Sequence, residues 1–191
     1  MKNRWKDFEK IHDYFDSNKN NYITNKYKCL FDLFNINYKN NIVLEVGCGH
    51  GIISLIFNNL FEKMICIDKD KKLINFFNKK IFDDKIKNII TQNISCSKFK
   101  SNQKFNIIIF SFSFVWIKNK KKSLYNIINY LENNGYLLVI EPFEYLNNLS
   151  NDNIDKNKMI ESINVLFYNK KIKLIYLCEI DRGINYLFKK I

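Results

Sequence analysis

Alanine is missing altogether from this chain of 191 residues, proline occurs once (Pro142), arginine twice (Arg4, Arg182) and glycine five times. Set against a large excess of Lys, Asn and Ile, these gaps are the directions in which an A/T-rich coding sequence pushes a protein. No linker-like stretch and no repeat interrupts the chain. The longest apolar runs, such as Ile107–Val115, fall far short of the roughly 20 residues that cross a bilayer, so no membrane association is expected. Met1–Asp16 carries charges throughout and lacks the apolar core of a signal peptide, which points to the cytoplasm. The cysteines (Cys29, Cys48, Cys66, Cys96, Cys178) are odd in number and form no CxxC pair. That spacing excludes a structural zinc and a disulfide framework, and reads as reduced thiols with no metal.

What the chain does have is 47% hydrophobic residues, enough length for one domain with a full core, and a formal net charge of +12. The charge has two readings: an acidic partner such as a carrier protein or nucleic acid, or a lysine-coated surface produced by compositional drift.

Apolar spacing predicts helices over Asn3–Phe15 and Tyr22–Phe34. A β-branched strand, Asn41–Val46, follows and stops at glycine. Beyond it the pattern alternates. Helices are expected at Ile52–Phe61, Asp70–Lys80, Lys120–Glu132 and Asp155–Tyr168. Strands are expected at Met64–Ile67, closed by Asp68, and at Ile86–Ile90, Phe105–Phe110 and Tyr136–Ile140. Two final strands, Ile172–Cys178 and Ile184–Phe188, are separated by a short turn at Asp181-Arg182-Gly183 and must pair antiparallel. The implied fold is α/β: a Rossmann-like seven-stranded sheet, mostly parallel with an antiparallel last strand and helices on both faces. Residues 1–40 form a short helical N-terminal cap on a domain that spans 41–191.

Three of the five glycines, Gly47, Gly49 and Gly51, fall in Glu45-Val46-Gly47-Cys48-Gly49-His50-Gly51, where a strand ends and a helix opens. Glycines there let the backbone turn tightly and approach a ligand, and the helix start offers unpaired N–H groups. Asp68, ending the next strand, can accept hydrogen bonds from two ribose hydroxyls. A dinucleotide fingerprint would need glycine at Ile52, and Glu45 would repel a pyrophosphate while attracting an ammonium. The ligand expected is therefore a nucleoside that carries an amino-acid ammonium and no pyrophosphate.

In these residues the chain resembles a class I S-adenosylmethionine (SAM)-dependent methyltransferase, from Asn41 to Ile191. The resemblance implies SAM as cofactor, with Glu45 and the loop Gly47, Cys48, Gly49 and Gly51 around its methionine part. Asp68 and Lys69 would lie at the ribose, and Asn93 and Ile94 at the adenine. Phe110 and Ser111 would line the methionine and acceptor side. Asn93 stands where the family usually has an acid; its amide oxygen still accepts a hydrogen bond. Leu131-Glu132-Asn133-Asn134-Gly135-Tyr136-Leu137 keeps one of the two glycines the family often shows there.

The acceptor is less well marked. The Asn/Asp-Pro-Pro-aromatic motif of amino-methylating nucleic-acid enzymes is absent after the fourth strand, and so is a C5-methylating cysteine, leaving no specific nucleic-acid signal. Phe15-Asp16-Ser17 followed by Tyr22, and Ser113-Phe114-Val115-Trp116, are similar to the malonyl-acyl-carrier-protein O-methyltransferase of biotin synthesis. Val115 and the short segment Glu141–Asn153 depart from that family. The similarity implies carboxyl O-methylation of a carrier-bound acyl group, with an acidic carrier protein as partner. Methylation of a free small metabolite, or a SAM-fold binding subunit without turnover, remains the alternative. A carboxylate acceptor needs no general base at neutral pH, and no catalytic residue is assigned. His50 sits in the glycine loop and His12 on the first helix, while Glu141 and Glu144 are the best carboxylates if a base is needed. Arg4 and Arg182 are the two bidentate cations.

Overall fold

A computed structural model describes residues 19–142, 153–180 and 183–191. Its elements run α1 (Lys19–Leu33), β1 (Ile42–Val46), α2 (Ile52–Phe57), β2 (Lys63–Asp68), α3 (Lys71–Asp83), β3 (Ile89–Asn93) and β4 (Phe105–Ser111). A 3-10 turn (Phe114–Trp116) is followed by α4 (Lys120–Ile128), β5 (Leu131–Pro142), α5 (Asn153–Phe167), β6 (Ile172–Ile180) and β7 (Gly183–Lys190). The predicted helix Asn3–Phe15 lies outside the described residues.

The strands form one seven-stranded sheet in the order β3-β2-β1-β4-β5-β7-β6. Neighbours from β3 to β5 are parallel, and β7 runs antiparallel to both β5 and β6. This is the mixed sheet the sequence implies. The central strands are apolar on successive residues because helices cover both faces. On one face Val43, Cys66, Ile107 and Ile109 pack with Phe31, Phe57 and Phe77 from α1, α2 and α3. On the other, Leu44, Ile65, Ile108 and Phe110 pack with Leu124, Ile127 and Leu166 from α4 and α5. The cap helix α1 is seated through Tyr27, whose hydroxyl donates to Asn185 Oδ1 at 2.7 Å and whose ring meets Phe57 edge-on. No helix among the described residues is long and apolar enough to cross a membrane.

Several boundaries differ from the periodicity. The third strand begins at Ile89 rather than Ile86, because residues before it close α3 and anchor the turn. Ile86 N–H donates to Ile81 O, and the Asn88 amide donates to Asn58 O and Phe61 O. The shift extends β3 to Asn93, level with Asp68. α2 and α4 end four residues earlier than expected, at Phe57 and Ile128. After α4, Leu131 already pairs with Phe105, and the ladder resumes at Ile107–Tyr136. The expected Asn-Asn-Gly turn is thus an irregularity inside β5. Asn134 takes a left-handed backbone there, and a side chain at Gly135 would meet Glu132 O at 2.9 Å and Asn106 O at 3.0 Å.

Candidate functional site

Four parallel strands end side by side at Val46, Asp68, Asn93 and Ser111, and the loops that leave them form the candidate site. The glycine loop turns back over β2: Gly47 and Cys48 both donate their N–H groups to Ile67 O, at 2.7 and 3.1 Å. All three glycines have positive φ, yet each is needed for a different reason. A Cβ on Gly47 would stand 2.5 Å from Ser113 Cβ, and one on Gly51 would enter the Phe77 ring at 2.1 Å. A Cβ on Gly49 would meet nothing within 4 Å. Two of the three glycines therefore answer to packing, and Gly49 faces open space.

Asp68 is half-buried beside that space. Its Oδ2 accepts the Gly49 N–H at 3.0 Å and its Oδ1 the Asp70 N–H at 2.8 Å, so both oxygens are fixed while each keeps a lone pair. Asp70 in turn caps α3 by accepting from the Lys72 and Leu73 N–H groups. Asn93 is exposed and donates its side-chain N–H to Asp68 O at 3.0 Å, a bond that engages the amide nitrogen and not its carbonyl oxygen. Lys69 is exposed and Ile94 half-buried beside these groups.

Glu45 lies beneath the loop, 1% exposed, and accepts a hydrogen bond from the Ser54 hydroxyl of α2. Ser54 also lies 3.1 Å from Cys66 Sγ. Burial pushes the Glu45 carboxyl up to about 8, with the Ser54 bond opposing and Asp68 adding to the rise. A cation arriving above it would favour the charged form. Cys48 is buried in the loop, and burial pushes its thiol well up, so it is no nucleophile. His50 is buried against the Phe76 ring, 6.3 Å between centroids.

On the other side, Ser111 is buried, with no hydrogen-bond partner for its hydroxyl among the described residues. Phe110 departs from the expectation that it lines the cleft. Its ring is fully buried on the opposite face, edge-on to Phe114 at 5.1 Å, because residues of a strand alternate between faces. Phe112, two residues on, is the exposed aromatic at this edge, with a left-handed backbone at φ 49°. Ser113 bridges the halves by donating to Val46 O at 2.6 Å. Glu141, at the end of β5, is 2% exposed and accepts from the Val115 N–H. Arg4, His12, Phe15, Asp16, Ser17, Glu144 and Arg182 lie outside the described residues. No three His, Cys, Asp or Glu side chains gather as a metal site among the described residues.

Sequence reasoning missed Ser54, Phe77 and the bond that Ser113 makes to Val46. The first left a trace, since Ser54 is the one polar residue in the apolar helix Ile52–Phe57. The Phe77 and Ser113 contacts are long-range, and which partners they meet has no local signal.

A family model described as a methyltransferase domain matches residues 19–184. A malonyl-[acyl-carrier protein] O-methyltransferase of Bacillus anthracis is 27% identical over 149 residues, covering 74% of this chain and 54% of that protein. The chain spans about half the length of the curated relatives it matches. Among solved structures, a SAM-dependent methyltransferase from Aquifex aeolicus superposes with a TM-score of 0.68 at 17% identity, covering 80% of this chain and 83% of the other. The N-methyltransferase NodS of Bradyrhizobium japonicum, solved with S-adenosyl-L-homocysteine (SAH), gives a TM-score of 0.62 at 13% identity, with 80% and 79% covered.

Proposed function

Because this chain belongs to the class I SAM-dependent methyltransferase family, we propose that its glycine loop, Asp68 and Asn93 hold SAM, and that the acceptor enters beside Ser111 and Phe112. The observation that carries the reading is the open position over Gly49, whose N–H is bonded to Asp68 Oδ2. Of the three loop glycines, Gly49 alone has nothing within 4 Å of its missing side chain, which is the cradle a ligand would fill. Asp68 offers two fixed carboxylate oxygens to a ribose diol, and Asn93 offers an acceptor to an adenine amino group. Glu45 supplies a proton-linked countercharge for the ammonium.

When bound, SAM supplies a sulfonium methyl that leaves to a nucleophile in line with it. The protein's share is placement, since transfer of this kind gains more from orientation than from acid–base help. Loop backbone and strand ends fix one reactant, and the turn after β4 fixes the other. Calorimetry with SAH and with NAD is the test. SAH binding without NAD binding is expected; NAD binding without SAH binding would overturn the reading.

For the acceptor, the finer reading is carboxyl O-methylation of a malonyl group on an acidic carrier protein, a step in biotin synthesis. It is supported by the Bacillus relative's own activity, by Ser113-Phe114-Val115-Trp116 and by the +12 charge. A methyl ester formed from malonyl carrier and labelled SAM would support it. Absence of product with malonyl carrier and with a free malonyl thioester would sink it and leave a small-metabolite acceptor.

A further inference from the structure

We propose that Glu141 is a positioning residue that clamps the turn Phe114–Trp116 against the end of β5 and so sets the acceptor-side wall of the cleft. The turn's own backbone bonds, Trp116 N–H to Ser113 O and Ile117 N–H to Phe114 O, do not tie it to the sheet. It is entered through Phe112, a non-glycine residue with φ of 49°, a backbone state that persists only where neighbours enforce it. Three bonds do so: Phe112 N–H itself donates to Ile140 O at 2.8 Å, and two bonds involving side chains act from opposite sides. Ser113 Oγ donates to Val46 O, tying the turn to the strand that carries the glycine loop, and Val115 N–H donates to Glu141 Oε1 at 3.2 Å.

The cost of placing Glu141 here argues that the bond matters. The side chain is 2% exposed, and its second oxygen has no hydrogen-bond partner among the described residues. A carboxyl buried with one bond is a poor contributor to stability for its own sake. It is also a poor base, because it sits on the α4–α5 face and its bonded oxygen is engaged by backbone. Among the described residues, the charged and titratable groups around it are few. Lys120 at the start of α4 is 4% exposed and gives its ammonium to Ile117 O and to Glu161 of α5. Tyr186 of β7 is near enough for the carboxylate to raise its hydroxyl's pKa. The turn itself contributes no titratable side chain. Burial outweighs Val115 and Lys120 and lifts Glu141 to about 8, so its charge, and the strength of its hold on Val115, change near neutral pH.

Trp116 lies in the turn and reports on it directly. In a Trp5→Phe background it is the single indole. Its emission should titrate with a midpoint near 8, lose that titration in Glu141→Gln and keep it in Glu45→Gln, which removes the other carboxyl raised to about 8 among the described residues. In Glu141→Leu, amide exchange over residues 112–117 should speed up roughly tenfold, while SAH affinity stays within about threefold. Glu141→Gln should restore the protection, since an amide oxygen still accepts from Val115. A titration that survives in Glu141→Gln, unchanged exchange in Glu141→Leu, or equal exchange in the Leu and Gln variants would each overturn the clamp. If the Leu variant does not fold, the Trp116 titration decides alone. The clamp rests on the methyl-transfer reading only for its purpose. Failure to bind SAH would remove that purpose but leave the fluorescence and exchange results standing, as neither needs cofactor or acceptor.

Discussion

The two halves of the sheet's upper edge are built in different ways. On the β1–β3 side, the groups proposed for SAM come from short, consecutive segments. The glycine loop, the Asp68-Lys69-Asp70 turn and Asn93 are each placed by the strand they end, and backbone bonds to Ile67 O together with bonds made by the Asp68 and Asn93 side chains hold them. On the β4–β7 side, side chains distant in sequence hold the edge: Ser113 with Val46, Glu141 with Val115, Tyr27 with Asn185. One half is built around a glycine loop that tolerates little variation in residue type, whereas the other rests on side-chain contacts to neighbouring elements that can be replaced. A common cofactor and a variable acceptor would call for such a division.

The contrast breaks most sharply at the glycines. Gly51→Ala puts a Cβ into the Phe77 ring at a φ of 88°. The overlap and the backbone strain together should cost about 3–4 kcal/mol in a denaturant titration. Gly49→Ala, with open space around it, should cost only the backbone term, about 1–2 kcal/mol, yet abolish SAH binding. Equal losses of stability would erase the distinction between the two glycines.

Proton linkage should reach both halves at once. Glu45 and Glu141 have folded pKa values raised to about 8, above those of an unfolded carboxyl. Between about pH 4.5 and 8 the folded state therefore binds more protons than the unfolded one, and stability falls as pH rises through that window. The loss should be on the order of a few kcal/mol, and Glu45→Gln and Glu141→Gln should each remove part of it. SAH binding separates the two groups, because an ammonium over Glu45 favours its charged form. Calorimetry in buffers of different ionisation enthalpy should show proton release in the parent protein and none in Glu45→Gln.

On the β1–β3 side, Asp68→Ala should weaken SAH binding by roughly 1.5–3 kcal/mol, the scale for hydrogen bonds to a charged group. The fold should remain, since Asp68 is half-buried at a strand end. Undiminished affinity would remove the ribose assignment. The smallest effect belongs to the acceptor half. If an acidic carrier delivers the acceptor, raising salt should lower kcat/KM several-fold through weaker steering, with SAH affinity nearly unchanged. Equal activity on carrier-bound and free malonyl thioesters, insensitive to salt, would keep the chemistry and discard the carrier.

The same division explains what is legible in the amino-acid sequence alone. Gly47, Gly49 and Gly51 stand out because a glycine-poor chain gathers them at a strand end, and Asp68 because it closes the next strand. The fold followed from alternation of apolar runs, and the antiparallel pairing of β6 and β7 from the short turn between them. Boundaries slipped where side-chain bonds override periodicity, as at Asn88, or where a strand begins before its apolar run, as at Leu131. Which face the Phe110 ring takes is not legible, because a fully apolar strand does not announce which residues point which way. The roles of Ser113 and Phe77 arise from contacts that local sequence does not carry.

The position of β7 has a consequence for assembly. It follows β6 in the chain yet lies between β5 and β6, so β6 has no neighbour in the sheet until β7 arrives. Until then β5 presents an open edge of unpaired backbone, and the Tyr27 hydroxyl of α1 lacks Asn185, a partner 158 residues away. Closure of the sheet and docking of the helix that precedes it are thus tied to one late insertion. Pairings so distant in sequence make for slow folding and a period of exposure to strand-edge aggregation. Refolding yield should therefore fall with protein concentration more steeply than the size of the domain alone suggests, with the β5 edge as the surface at risk.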